Sequence, residues 1–309
     1  MNGIGRKTAV LGLILLSFSL GPKSLGLAAD FPLAFENYGR LVVIDKLPQK
    51  VVTCGAAAAE IMAALGLGNL VVGRVHTVHG RGLLAEYEKL LAQVPEIADS
   101  LAQLAGEGTE GTDIIIGQFQ ASDGELTWKW PPVYVLDARD LEGLYQQIRH
   151  IGRIFMVQAE AENLLTGLSE GLNRTAGRLK VFEPVKVLIF DPRPDGWYAA
   201  GTGDYMSRLL DLAGGVNVMN GQPDWSAVTA GDISARDPEV ILIPDYGLTR
   251  AELKRAVLKE DPVLSQLEAV ENDRILIMPL ETLEPGVRAA LAVDTMARFF
   301  HPSLFDSKN

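Results

Sequence analysis

Between Val157 and Lys180 the apolar positions Leu164, Leu165, Leu168, Leu172, Ala176 and Leu179 recur at three- and four-residue spacing, with Glu160, Glu162, Glu170, Arg174 and Arg178 between them. That is one narrow apolar face on a long polar helix. At the usual rise per residue it spans roughly 35 Å, about the width of a domain. Strand and helix patterns lie on both sides of it, so it reads as a strut between two lobes. The competing reading is a surface helix of one larger domain, and Gly167, Gly171 and Gly177 each weaken the helix by roughly 1 kcal/mol relative to Ala.

Before the strut, Phe31 to Asp45 reads as two short strands around Asn37-Tyr38-Gly39, and Lys50 to Thr53 as a short buried strand. The chain turns at Gly55 into the apolar helix Ala56 to Leu65 and returns as the strand Leu70 to Val75. Strand, helix, strand in so few residues calls for a crossover and a parallel sheet. Asp113 to Gly117 and Pro132 to Leu136 add two strands, with the helix Leu141 to Phe155 behind them. After the strut the grammar repeats. Strands are predicted at Pro184 to Phe190, Glu239 to Pro244 and Arg274 to Pro279, and helices at Asp204 to Ala213 and Val287 to Phe300. The fold class is α/β: two Rossmann-like lobes with central parallel sheets joined by one long α-helix. The expected division is a leader over residues 1–28, a first lobe over 29–156, the linking helix over 157–181 and a second lobe over 182–309.

Length agrees with two cores, since 309 residues exceed what a single core usually serves. Arg6 and Lys7 ahead of the apolar run Thr8 to Leu20, then Gly26-Leu27-Ala28, have the form of a secretory signal peptide. The run is too short to span a bilayer. Its loss would move the formal charge from −11 to −14, because Arg6, Lys7 and Lys23 go and no acid does. An acidic surface argues against a nucleic-acid partner. The single cysteine, Cys54, lies well inside the chain and can be neither a lipid attachment point beside the cleavage site nor half of an internal disulfide. Together these predict a monomeric protein exported to a periplasm.

In open parallel sheets the ligand crevice lies beyond the carboxyl ends of the strands. The loops there carry all four tryptophans, Trp128, Trp130, Trp197 and Trp225, together with Tyr198 and Tyr246. Large rings in loops suit the walls of a pocket for a bulky, partly apolar ligand, the alternative being that each plugs the core of its own lobe. Arg74, Arg81, Arg139, Arg193, Arg250 and Arg288 share these loops; their planar forks suit anionic oxygens, and pairing with a neighbouring acid is the alternative. Arg139, Arg193 and Arg288 are the expected ligand arms. Gly201-Thr202-Gly203 before a helix offers a weak anion site. His76 and His79, three apart, are weak metal candidates with no third ligand in view, and solvated loop histidines are the competing reading. Ser207, Ser226 and Cys54 lack the partners of a nucleophile, so no enzyme is expected.

The order of motifs resembles the single-helix-hinge periplasmic binding proteins of ABC importers, which carry ferric siderophores, haem and cobalamin. It rests on Lys50-Val51-Val52-Thr53 followed by Ala59-Glu60-Ile61 and Ala64-Leu65-Gly66-Leu67-Gly68, on Leu212-Ala213-Gly214-Gly215-Val216-Asn217-Val218, on Asp237-Pro238-Glu239-Val240-Ile241-Leu242, and on Phe300-His301-Pro302. The resemblance implies a ligand held between the lobes, no intrinsic cofactor, and an inner-membrane permease as partner. It implies an iron chelate of the siderophore type as ligand, with haem, a corrinoid, or a non-transport interaction protein on the same fold as alternatives. The resemblance implies a glutamate on each lobe to meet permease arginines. In the second lobe Gly231 stands where the family has its glutamate, with Asp232 beside it, and in the first the glycine-rich segment Gln103 to Thr112 offers Glu107 and Glu110 as imperfect matches.

Overall fold

The computed structural model describes residues 31–76, 82–98, 111–118, 131–179, 182–222, 224–246 and 251–305. The chain starts with a hairpin of β1 (Leu33–Asn37) and β2 (Arg40–Ile44), alternately buried and exposed along both strands. Tyr38 and Gly39 both take positive φ at its turn, the conformation that two-residue hairpin loops require.

The first sheet has five strands: β3 (Val51–Cys54), β4 (Val71–Val75), β5 (Glu96–Ala98), β6 (Ile114–Gly117) and β7 (Val133–Val135). All pair in parallel in the order β5-β4-β3-β6-β7. The order reverses between β3 and β6, the topological switch of a doubly wound sheet. Continuous burial of β3, β6 and β7 follows from helices on both faces. These are α1 (Ala56–Ala64), α2 (Ala85–Leu90) and α3 (Leu141–Ile154), the last capped by Asp140, whose side chain accepts from Gly143 N at 2.8 Å.

Next comes α4 (Gln158–Leu179), the predicted strut. It buries Ala161, Leu165, Leu168, Leu172, Thr175 and Leu179, most of the predicted face, and is laid against α3 and against α10 (Ala289–Phe300) of the second lobe. Near its start Ala161 packs on Gly152 of α3, and further along Gly171 faces Ala290 of α10, where an added Cβ would come within 2.8 Å of the Ala290 Cβ. The helix is therefore a shared wall. One continuous apolar cluster runs from Ile61 and Ile114 through Leu165 and Leu168 to Leu209, Val240 and Val293.

The second sheet is built on β8 (Val185–Arg193), β10 (Gly215–Asn217), β12 (Val240–Asp245) and β13 (Ile275–Pro279), all parallel. The far half of β8 turns back as β9 (Gly196–Ala199), antiparallel to it, and β11 (Ser226–Ala227) extends that edge. The segment between the predicted strand ending at Phe190 and the predicted helix starting at Asp204 is thus largely a hairpin, because β8 outruns β10 and exposes backbone that β9 satisfies. Helices α5 (Tyr205–Leu212), α6 (Ala230–Ser234), α7 (Ala251–Glu260), α8 (Glu268–Glu271) and α9 (Leu280–Leu283) surround this sheet, and α11 (Pro302–Phe305) ends the described chain. Among the described residues no helix is long and apolar enough to cross a membrane. Residues 1–28, where the leader is expected, lie outside them.

Candidate functional site

A cavity of about 390 Å³ opens between the lobes at the carboxyl ends of both sheets. The first lobe contributes Gln118, just after β6, and Ala138 and Arg139, just after β7. The second contributes the start of α5, Asp224 and Trp225, Tyr246 directly after β12, and Leu280, Leu283, Glu284 and Pro285 after β13. Of the residues predicted from sequence, Arg139, Trp225 and Tyr246 meet here.

Asp204 organises this wall. One oxygen caps α5 by accepting from Met206 N at 2.8 Å, and the other accepts from Trp225 Nε1 at 2.9 Å, which holds the indole over the cavity. Burial pushes the Asp204 carboxyl up, against the lowering effect of those two bonds; Asp224 nearby raises it further and Arg139, across the cleft, lowers it. The helix start therefore already carries its own anion. The anion site expected at Gly201-Thr202-Gly203 is filled by Asp204, and Thr202 N donates to Gln222 O instead.

Tyr246 donates its hydroxyl to Asp191 Oδ2 at 3.0 Å, and burial, with Asp191 adding to it, raises its pKa well above the ordinary tyrosine value. The same Asp191 oxygen holds Arg193 Nε at 2.5 Å. Arg193 lies over the rings of Tyr198 (4.7 Å) and Trp225 (5.8 Å), at the edge of the cavity wall. Tyr198 thus sits behind Arg193 rather than on the cavity. Trp197 is no cleft wall. It lies on β9 with its ring edge-on to Phe190 at 5.8 Å and packs into the second-lobe core, because alternation along a strand sends neighbours to opposite faces.

Arg288 also leaves the predicted set. It is buried, 6% exposed, and its fork holds Glu60, 0% exposed, through Nε to Oε2 at 2.8 Å and through a second nitrogen to Oε1 at 2.6 Å. Glu60 belongs to α1 of the first lobe, so the pair ties the lobes together. Leu84 N donates to Glu60 and Gly82 N to Glu281, reinforcing the joint. A lone glutamate in the run Ala-Ala-Ala-Ala-Glu-Ile-Met is the sequence signal for such a partner, since a buried charge must be paired.

Glu284, beside this joint, lines the cavity, and its carboxyl is pushed up to about 8, first by burial and then by Glu281, while Arg288 and a hydrogen bond from Gln118 oppose the shift. Gln118, Asp204, Tyr205 and Asp224 were missed by sequence reasoning as well; Tyr205 lines the cavity, and its buried hydroxyl has no partner among the described residues.

His76 is buried against Glu96, Nε2 to Oε2 2.6 Å, and no metal-binding cluster occurs among the described residues. His79, Trp128, Trp130, Arg81, Arg250, Glu107 and Glu110 lie outside them. Asp232 is exposed at the start of α6, where its Oδ2 accepts from Thr229 N at 2.9 Å and Thr229 Oγ1 at 2.6 Å; those bonds lower its pKa.

Residues 113–282 match the family model described as periplasmic binding protein. The chain belongs to that family. An uncharacterized ABC transporter substrate-binding lipoprotein, YvrC, of Bacillus subtilis (strain 168) is 24% identical over 89% of this chain and 87% of its own length. The high-affinity heme uptake system protein IsdE of Staphylococcus aureus (strain MRSA252) is 25% identical, over 52% of this chain and 56% of IsdE. A structure described as an ABC-type Fe3+-hydroxamate transport system from Saccharomonospora viridis DSM 43017 superposes with a TM-score of 0.72 at 23% identity, covering 90% of this chain and 100% of that one. The family supplies substrate-binding proteins of ABC importers, not enzymes. The two-lobe fold read from the sequence is the one the structure has.

Proposed function

We propose that this substrate-binding protein captures an iron chelate of the siderophore type between its lobes, in the periplasm, and delivers it to an inner-membrane permease. The cavity carries the reading. It is concave, lies at the carboxyl ends of both sheets, draws walls from both lobes, and combines the apolar surfaces of Trp225, Leu280, Leu283 and Pro285 with the polar groups of Arg139, Tyr246 and Gln118. A volume near 390 Å³ suits a ligand of several hundred daltons with part of its rim left open. Asp232 is the described acid proposed to meet the permease, with one oxygen already committed to its helix cap. Glu107 and Glu110 are the proposed first-lobe counterparts.

A second reading, haem or a corrinoid, has the haem-uptake relative behind it. Tyr246 and Tyr205 are the phenols among the described lining residues; burial raises the pKa of both, and Tyr246 donates its hydroxyl to Asp191, which makes them poor phenolate ligands for an iron. The test is titration of purified protein with a ferric trihydroxamate, a ferric tricatecholate, haemin and cyanocobalamin, following tryptophan fluorescence. Saturable quenching by a ferric siderophore, lost in Trp225→Phe with affinity largely kept, is the expected result. Tight binding of haemin with a shifted Soret band and no response to either siderophore overturns it.

A further inference from the structure

The charges around the cavity are unequal in a way that bears on which chelate it takes. Two of the arginines expected to receive anionic oxygens are already neutralised: Arg193 by Asp191, 2% exposed, and Arg288 by Glu60. Lys254, behind Tyr246, is paired with Asp245 at 3.3 Å and donates to Pro244 O. Among the described lining residues this leaves Arg139 facing three carboxyl groups, Asp204, Asp224 and Glu284.

A second observation concerns hydrogen bonding. Gln118 Oε1 and Tyr205 Oη are both buried and lack a partner among the described residues, and both residues line the cavity. Both atoms lie beneath the cavity surface, so what a ligand meets is the lining charge, three carboxyl groups against one arginine. That balance calls for a ligand without excess negative charge.

Resting on the chelate reading above, we infer that the cleft selects by charge: it accepts a ferric hydroxamate-type chelate of neutral or positive net charge and rejects polyanionic chelates, with Asp204, Asp224 and Glu284 as the selecting residues. Glu284 faces Glu281 and Arg288 from its own segment, Glu60 through Arg288, and Gln118 from the first lobe. With its carboxyl titrating at about 8, the cleft gains negative charge as pH rises through that value, so the discrimination sharpens in alkaline solution.

The experiment compares ferrioxamine B, whose arm ends in an ammonium, with its N-succinyl derivative, identical at the iron but ending in a carboxylate. Haemin, which carries anionic propionates, and neutral cyanocobalamin complete the panel. At low ionic strength the ammonium form is expected to bind about tenfold more tightly than the succinyl form, with the ratio falling as salt is added. Asp224→Asn, an exposed lining residue, should reduce the ratio several-fold, and Glu284→Gln should abolish its rise between pH 6.5 and 8.5. Equal affinity for the two hydroxamates, or preference for the succinyl form, overturns the charge rule and leaves the siderophore reading standing. Binding of cyanocobalamin alone retires the siderophore reading and keeps the charge rule, whereas binding of haemin alone, or of no probe, overturns both.

Discussion

Replacing Arg288 by Met tests whether the pair it forms with Glu60 is as buried as it stands here. The substitution keeps most of the side-chain volume and removes the fork, leaving the Glu60 carboxylate, 0% exposed, with Leu84 N as its remaining described partner. An uncompensated buried charge costs about 3–5 kcal/mol, several times the value of a surface pair. The joint also links α1 of one lobe to the start of α10 in the other, so the loss should fall on the interface between lobes. Urea denaturation of the apo protein, followed by far-UV circular dichroism and by tryptophan fluorescence, reads the cost. The double variant Glu60→Leu with Arg288→Met, which removes both charges, should recover at least about 2 kcal/mol relative to the sum of the single variants. A loss under about 1 kcal/mol for Arg288→Met, or simple additivity in the double variant, would refute the argument, because either means the carboxylate reaches water once its partner is gone.

Trp197→Ala is expected to lower stability by about 3 kcal/mol through a cavity beside Phe190 while ligand affinity stays within about twofold; a large loss of affinity with unchanged stability would return Trp197 to the cleft. Gly167→Ala, which meets no atom within 4 Å, should stabilise α4 by up to about 1 kcal/mol, whereas Gly171→Ala, pressed to 2.8 Å from Ala290, should destabilise it; thermal melts of the pair decide. Glu284 keeps a proton in the folded protein up to about pH 8 that the unfolded chain gives up near its ordinary value of 4.5, so its contribution to stability is greatest at low pH and falls as pH rises between those values. Glu284→Gln should remove that fall, seen as a flatter dependence of urea midpoint on pH between 5 and 8; an unchanged slope would count against the shift.

The architecture was legible because periodicity reports burial, and burial is what elements share. The continuous apolar runs in β3, β6, β8 and β12 and the spaced leucines of α4 appear in the structure within a few residues of where the pattern puts them. Short pieces such as β5 and β9 were missed, since a three- or four-residue strand carries too little pattern and forms because a neighbour offers unpaired backbone. The motifs behind the family resemblance are scaffold as well. Gly214, with φ of 77°, lies under His301, whose Nε2 is 3.3 Å from its carbonyl oxygen, and Asn217 donates to Ala200 O and Ser207 Oγ at 2.8 Å each. Leu-Ala-Gly-Gly-Val-Asn-Val and Phe-His-Pro thus recognise each other. They identify the fold and carry no information about the ligand.

The site was legible only in part, for a physical reason that Trp197 and Arg288 share. Residue type and loop position say what a side chain could do, but a ring or a guanidinium satisfies itself with whatever partner is nearest in space, and that partner comes from elsewhere in the chain. Phe190 claims Trp197, and Glu60, remote in sequence, claims Arg288. Trp225 escaped the same fate because Asp204, a helix cap with one oxygen to spare, pins its indole nitrogen at the cavity, with Arg193 over the ring. Each arginine taken by a buried acid then removes a positive charge from the cleft, which is why a loop set rich in arginine encloses a cavity whose described charges are mostly acidic. Charge selection in such a cleft depends less on how many arginines its loops carry than on how many the scaffold has left unpaired.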